Sequence, residues 1–480
     1  MILFFASVVL LILGYLIYGA VIDRLFGSDP ARQTPAMTMA DGIDFVPMPP
    51  WKVFLIQLLN IAGLGPIFGP ILGALYGPVA LLWIVFGCIF AGAVHDYFSG
   101  MLSLRNNGIS IPGVVGLTLG RGFQQFMRGF SVVLLVLVGV VFVSGPAGLL
   151  QSMTGLSMPV LIAIIFAYYF IATILPVDKI IGRIYPLFGA ILIFMAVGTI
   201  VMLIAKGYNF EPTFQGEGFN PQGLPLWPLM FITIACGAVS GFHATQSPMM
   251  ARCITNEKYG RPAFYGAMIA EGVIALIWAT LAIAFFHTPM ELNEVLGQGG
   301  PALVVHTIST SLLGKVGGIL AVIGVVVLPI SSGDTAFRSA RLIIADVFKL
   351  SQKVTVKRLL IAVPLFAVGF VISKTDFGLI WRYFGWANQT LAAIVLWAAA
   401  AYLAQQNKFH WVCTVPALFL TVVVVTYLSY SQIGFRLPMN VATGIGLAAA
   451  AVSLVIFLIT GGGAHRPGGA KPPVTEGMKS

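Results

Sequence analysis

The chain has 480 residues, of which 58% are hydrophobic and only 9% charged, with a mean hydropathy of +0.96 and a formal net charge of +10. So little charge cannot cover the surface of a soluble globule, which also removes the nucleic-acid partner that a basic soluble chain would suggest. What remains is an all-α polytopic membrane protein whose first partner is the lipid bilayer.

Read in chain order, thirteen apolar segments predict about 13 transmembrane helices, at 2–22, 53–76, 78–101, 128–150, 158–175, 185–206, 226–248, 265–287, 303–333, 357–373, 382–404, 411–430 and 439–460. The first, MILFFASVVLLILGYLIYGAVI, has neither a basic leading region nor a small-residue cleavage site, so it reads as a retained span. The ninth is too long for one helix and divides at Lys315 into a short re-entrant or surface piece and a span. With the N-terminus outside and the C-terminus cytoplasmic, the inner segments hold 21 of the 26 Lys and Arg residues, whereas Glu211, Glu217, Glu291 and Glu294 fall outside. That bias is the positive-inside pattern. Cys88, Cys236, Cys253 and Cys413 form no CxxC pair and read as packing residues.

Two spans are interrupted. Span 2 contains NIAGLGPIFGP, residues 60–70, with three glycines and two prolines; span 7 contains CGAVSGFHATQSPMM, residues 236–250. They lie five spans apart and so run in opposite directions, which predicts a 5+5 inverted-repeat transporter core. The segments are then 1–50 (first helix and cytoplasmic loop), 51–206 (first repeat), 226–404 (second repeat) and 405–480 (two helices and a cytoplasmic tail). An unwound segment frees backbone N–H and C=O groups inside the bilayer, where protein, water or a ligand must satisfy them. Gly63, Gly65 and Pro66 in the first break, with Gly241, His243 and Gln246 in the second, are the expected substrate-binding set. Half-helix N–H groups suit an anion, and imidazole and amide can both donate to a carboxylate. The plainer alternative is close helix packing through glycine, with His243 and Gln246 closing the exposed backbone of the kink.

Three acids lie in or beside spans: Asp96, Glu271 and Asp334. An ionisable residue at depth is a functional candidate by default. His95 and Asp96, placed near the cytoplasmic end of span 3, either exchange a coupling proton or anchor a helix end with Arg105. Ser331, Ser332, Asp334 and Thr335 cluster oxygen ligands for a sodium ion or a proton, or else cap a helix, with Arg338 and Arg341 at hand to neutralise Asp334. Glu271 has no partner visible in sequence, and Asn388 and Gln389 read as bridges between helices. His95, His243, His287 and His306 lack metal-ligand spacing, and no nucleotide loop or catalytic elbow occurs, so neither a metal, a cofactor nor an enzyme is expected.

The motifs NIAGLGPIFGPILGALYG, LLWIVFGCIFAGAVHDYFSGMLSLRNNGIS, SGFHATQSPM, SSGDTAFRSARLIIAD and FGWANQTLAA, in this order along nearly the whole chain, resemble the carbon starvation protein (CstA) family. The resemblance implies a bacterial or archaeal cytoplasmic-membrane transporter, with peptide uptake or pyruvate–proton symport as its activity. It also implies the five-plus-five core of the amino-acid/polyamine/organocation superfamily. Two departures are visible: KVFLIQLLNIAG carries Gln57 and Asn60 where relatives often have a histidine-rich stretch, and the chain is shorter than the enterobacterial members. The expected function is therefore import of a small organic anion, pyruvate first, by proton or sodium symport, with di- or tripeptide uptake as the alternative. A channel or membrane sensor is the reading from another class, and oligomeric state stays open.

Overall fold

The computed structural model describes residues 1–42, 44–174, 178–208, 220–350, 352 and 354–460. The principal helices are α1 (Ile2–Phe26), α2 (Pro50–Ile61), α3 (Gly65–Tyr76), α4 (Val79–Arg105), α5 (Ile111–Leu119), α6 (Arg121–Thr154), α7 (Met158–Ile174), α8 (Asp178–Ala205) and α9 (Leu226–Thr233). They continue as α10 (Gly241–Ala251), α11 (Glu257–Phe285), α12 (Pro289–Val322), α13 (Leu328–Phe348), α14 (Thr355–Ile372), α15 (Phe377–Gln405), α16 (Trp411–Tyr430) and α17 (Met439–Ile459).

Among the described residues, nine helices are long and apolar enough to cross a bilayer, or ten if the bent pair α2 and α3 is one span. This corrects the expected thirteen, and the inverted arrangement of two five-helix repeats falls with that count. The physical reasons are local. α7 and the 189–205 part of α8 are apolar but fall short of a full span. The segment read as span 7 is two short helices, α9 and α10, with non-helical chain between them. α13 carries Asp334, Arg338, Arg341 and Asp346, which interrupt its apolar character.

Burial sorts the spans. In α4 and α11, 78% of the most apolar window is buried inside the protein, against 28% in α1 and 22% in α17. A helix hydrophobic all round belongs at the centre, and one bared to lipid belongs at the rim. The inner helices therefore hold whatever polar groups the bilayer would not tolerate.

Both breaks are real and differ in what they ask of glycine. α2 stops where Ala62 leaves helical geometry (φ −81°, ψ 55°), α3 restarts with Pro66 in its first turn, and the two meet at a bend of 48°. Neither Gly63 nor Gly65 has a positive φ. They are needed for space: a Cβ at Gly63 would lie 2.7 Å from the Phe142 ring, and one at Gly65 would collide with Cys236. In the second break Gly237 takes φ +88°, a conformation that side chains disfavour. A side chain there would also strike Ala275, while Pro66 lies close by. The two breaks thus pack directly on each other.

Candidate functional site

The second break is held by amides from α15. Asn388 Oδ1 accepts from the Phe242 N–H at 2.7 Å, and its Nδ2 donates to Ser240 Oγ at 3.1 Å. Gln389 Nε2 donates to the Phe231 and Val239 carbonyls at 3.0 and 3.4 Å. These two residues bridge helices, as their sequence positions suggested. N–H groups expected to meet a carboxylate ligand are already partnered: the Phe242 N–H by Asn388, and the His243 N–H by the Ser240 carbonyl at 3.3 Å.

Behind this break lies a fully buried ionic cluster. Asp96 Oδ1 meets His95 Nδ1 at 2.8 Å, Asp96 Oδ2 meets His243 Nδ1 at 2.8 Å, and His243 Nε2 faces Glu271 Oε2 at 3.3 Å. All four side chains have no exposure. They come from α4, α10 and α11, the most enclosed part of the protein. Neither Glu271 oxygen has a well-formed hydrogen bond, although the His243 ring stands beside the carboxylate. A polar thread runs on from the cluster: Ser247 Oγ donates to the His243 carbonyl, Ser99 Oγ donates to Ser247 Oγ, and Gln57 Nε2 of α2 reaches Ser247 Oγ at 3.4 Å. Cys236 Sγ, a His243 ring nitrogen and a Glu271 oxygen all lie within 4.8 Å of one another, a donor set that sequence spacing concealed.

The expected positions fare as follows. His95, Asp96 and His243 are brought together, joined by Glu271, whose role sequence left open. The Asp96 side chain is fully buried within the protein. α4 continues to Arg105, so the carboxylate lies nine residues, about 13 Å, inside the helix end. Arg105 pairs with Glu257 instead, through Nε–Oε1 at 3.1 Å and Nη2–Oε2 at 3.0 Å. Gly65 and Pro66 abut Cys236 and Gly237, and Gly241 packs on the backbone of Asn388 and Ala392. Gln246 is buried, with Nε2 on Thr245 Oγ1 at 2.9 Å and Oε1 without a partner.

The SSGDT patch is a separate place. Asp334 pairs with Arg338 at 3.2 Å, and Thr335 Oγ1 donates to the Ser332 carbonyl at 2.7 Å. The side chain of Ser331 lies outside the described residues. Gly333 packs on Tyr169 and on Phe142, the same residue that Gly63 touches, so an aromatic side chain lies between this patch and the first break. At the far end of α10, a cleft of about 50 Å³ is lined by Ser110, Thr245, Pro248, Arg252, Ser339 and Asp346. There Arg252 Nε donates to the Gly108 carbonyl at 2.9 Å.

Comparison with known proteins decides the family. The sequence profile described as "Carbon starvation protein CstA" matches residues 1–144, 124–297 and 292–427. The chain belongs to the CstA family. A Haemophilus influenzae "Uncharacterized membrane protein" is 50% identical over 62% of this chain and 95% of its own length. The Bacillus subtilis "Peptide transporter CstA" is 26% identical over 95% of this chain and 94% of its own. The Escherichia coli "Pyruvate/proton symporter BtsT" is 28% identical over 57% of this chain and 47% of its own. The named CstA-family relatives are transporters and none is an enzyme. Among solved structures, an Eremococcus coleocola manganese transporter shares the fold, with a TM-score of 0.57 at 11% identity over 86% of this chain and 96% of that one.

Proposed function

We propose that the chain is a proton-coupled secondary transporter that imports short peptides. Family membership supports secondary active transport in a membrane. Peptide as cargo is supported by relatives named peptide transporters, one of which aligns along 95% of the chain. This reverses the order of preference drawn from the sequence, where pyruvate came first.

The observation that carries the coupling is His243 with a carboxylate facing each ring nitrogen, in the helix that restarts after the second break. A ring with an acceptor on both sides is in register for an imidazolium, which donates from both nitrogens. Loss of one proton leaves two carboxylates around a neutral ring, in a place with no exposure, and that change of charge is resolved by moving a helix or by taking up a cation. Because α10 also packs against the first break, through α2 and Ser247, a proton at His243 is felt where Gly63, Gly65 and Pro66 meet Gly241 and Gln246. Those residues hold the peptide when the breaks part. The cleft at Arg252 and Thr245 marks the way out.

Cys236, His243 and Glu271 can alternatively offer a metal three donors, but a doubly protonated ring cannot ligate, so the two occupants exclude each other. Pyruvate–proton symport is the second reading, favoured by the relative that bears that name.

Proteoliposomes test the proposal. With an imposed inward proton gradient, uphill accumulation of a radiolabelled di- or tripeptide is expected, and collapse of the gradient abolishes it. Accumulation of pyruvate but not peptide selects the second reading. Gradient-independent flux of either overturns coupled transport, and dependence on a divalent metal in place of the gradient overturns the proton.

A further inference from the structure

Away from the cluster, the lipid-facing side of the protein carries a groove between α6, α13 and α14 with a volume of about 520 Å³. Val133, Val136, Ile344, Phe348, Leu360 and Val368 are among its lining residues, and every residue lining it is apolar. On α14 the lining begins at Leu360 and ends at Ile372. Those twelve steps span about 18 Å at ~1.5 Å per residue, close to the ~15 Å depth of one leaflet of hydrocarbon. The groove therefore has the length of one lipid tail rather than of a whole bilayer.

Among the described residues its two ends differ in charge: Lys374 follows Ile372 at one end, and more cations gather at the other. Arg128 stands one helical turn before Val132, Lys349 precedes Leu350, and Lys357 and Arg358 lie within a turn of Leu360. Three helices thus carry four cations next to lining residues at this end of the apolar slot. Arg358 is only partly committed: Nη2 donates to Thr355 Oγ1 at 2.9 Å, while Nε is buried and has no partner. The nearest acid on α13, Asp346, lines the cleft with Thr245 and Arg252 and not the groove, and it stands near enough to Arg128 to share that charge, which leaves Lys357 and Arg358 as the principal cations of this end. α14 itself is only 28% buried in its most apolar window, so its exposed face meets lipid whatever the protein transports.

We propose that this groove is a binding site for one anionic phospholipid, its acyl chain between α6, α13 and α14 and its phosphate against Arg358, Lys357 and Arg128. Apolar burial alone accepts any lipid, and cations within reach of the phosphate make the choice of an anionic one. The site does not depend on what the cargo is or on how it is coupled.

Native mass spectrometry of the full chain released from nanodiscs of phosphatidylcholine and phosphatidylglycerol in equal amounts reads the preference directly. Wild type is expected to retain one phosphatidylglycerol per chain in preference to phosphatidylcholine. Lys357→Gln combined with Arg358→Gln removes two cations and should cut that preference about tenfold. Val368→Trp, on the lipid-facing surface, fills the slot and should lower retention of both lipids while leaving the charges in place. Equal retention of the two lipids by wild type overturns the proposal, as does an unchanged preference in the double variant. Displacement of the lipid by inorganic phosphate, with Val368→Trp behaving as wild type, would mark a phosphate site and overturn the lipid.

Discussion

The carboxylates at the centres of two clusters are equally hidden from water and differently partnered. Glu257, with no exposed side-chain surface, is met by the Nε–Nη2 edge of the Arg105 guanidinium, by the Asp29 N–H at 2.8 Å and by Arg32 at 3.7 Å. Asp96 and Glu271, just as buried, are met by histidines. Arginine does not give up its proton in a protein, whereas histidine changes charge within the physiological range. The first cluster is a clamp whose charges are constant. The second is one whose balance changes with a single proton. Burial marks neither as functional; the chemistry of the partner separates them.

Substitutions can break that comparison, and the largest effect falls at its centre. Asp96→Asn keeps the shape but removes the negative charge and one of the two acceptor oxygens that meet His95 and His243. Gradient-driven uptake should drop at least about 100-fold, the scale of an ion partner lost at ~3 kcal/mol with ~1.4 kcal/mol per decade. The protein should still elute as a folded species on size exclusion. Uptake that survives would make the cluster structural only. Arg105→Gln attacks the clamp. Leaving Glu257 buried without its partner costs about 3 kcal/mol, so the melting temperature in detergent should fall, while the pH profile of whatever folded protein remains should match wild type. A shifted profile there would erase the distinction between the clusters. Glu271→Gln removes the charge of one of the two carboxylates facing His243 and should reduce uptake about tenfold, with the loss smallest at low external pH, where protons are most available. His95→Gln is the mildest, about two- to threefold, because His95 touches Asp96 through one nitrogen and its Nε2 has no partner. A larger effect from His95 than from Glu271 would move the coupling proton to the other side of Asp96.

The sequence exposed some of this and hid the rest for definite reasons. The break at 60–70 was legible because glycine and proline are poor residues inside a helix, and Ala62 leaves helical geometry where that composition says it should. His243 and Gln246 stood out because both are costly in hydrocarbon. The partnership was not legible: Asp96 and His243 are 147 residues apart, and no local pattern joins them. Glu271, alone on its stretch of α11, has the same explanation. The continuation of the helix past the apolar stretch to Arg105 was likewise not visible in composition. The span count was overestimated because apolar runs alone do not show where a helix stops, as between α9 and α10. SSGDT reads as an ion site by composition, yet in space it leans on Tyr169 and Phe142 and pairs with its own Arg338.

The clamp also bears on how the protein is made. It gathers Gly27 and Asp29 from the end of the first helix, Arg105, Glu257 and Tyr402, and beside it Lys408 Nζ donates to the Phe26 carbonyl at 2.6 Å across 382 positions of chain. A ribosome delivers those groups in order, so the first helix enters the bilayer long before its last tether exists. Until residue 257 has emerged, the segment after the first helix lacks its bond from the Asp29 N–H to Glu257, and until residue 408 it lacks the lysine on Phe26. A chain interrupted after 257 but before 402 would carry Arg105 on Glu257 without the phenol and the lysine that complete the collar. Limited proteolysis at 27–34 during synthesis would therefore report how far assembly has gone.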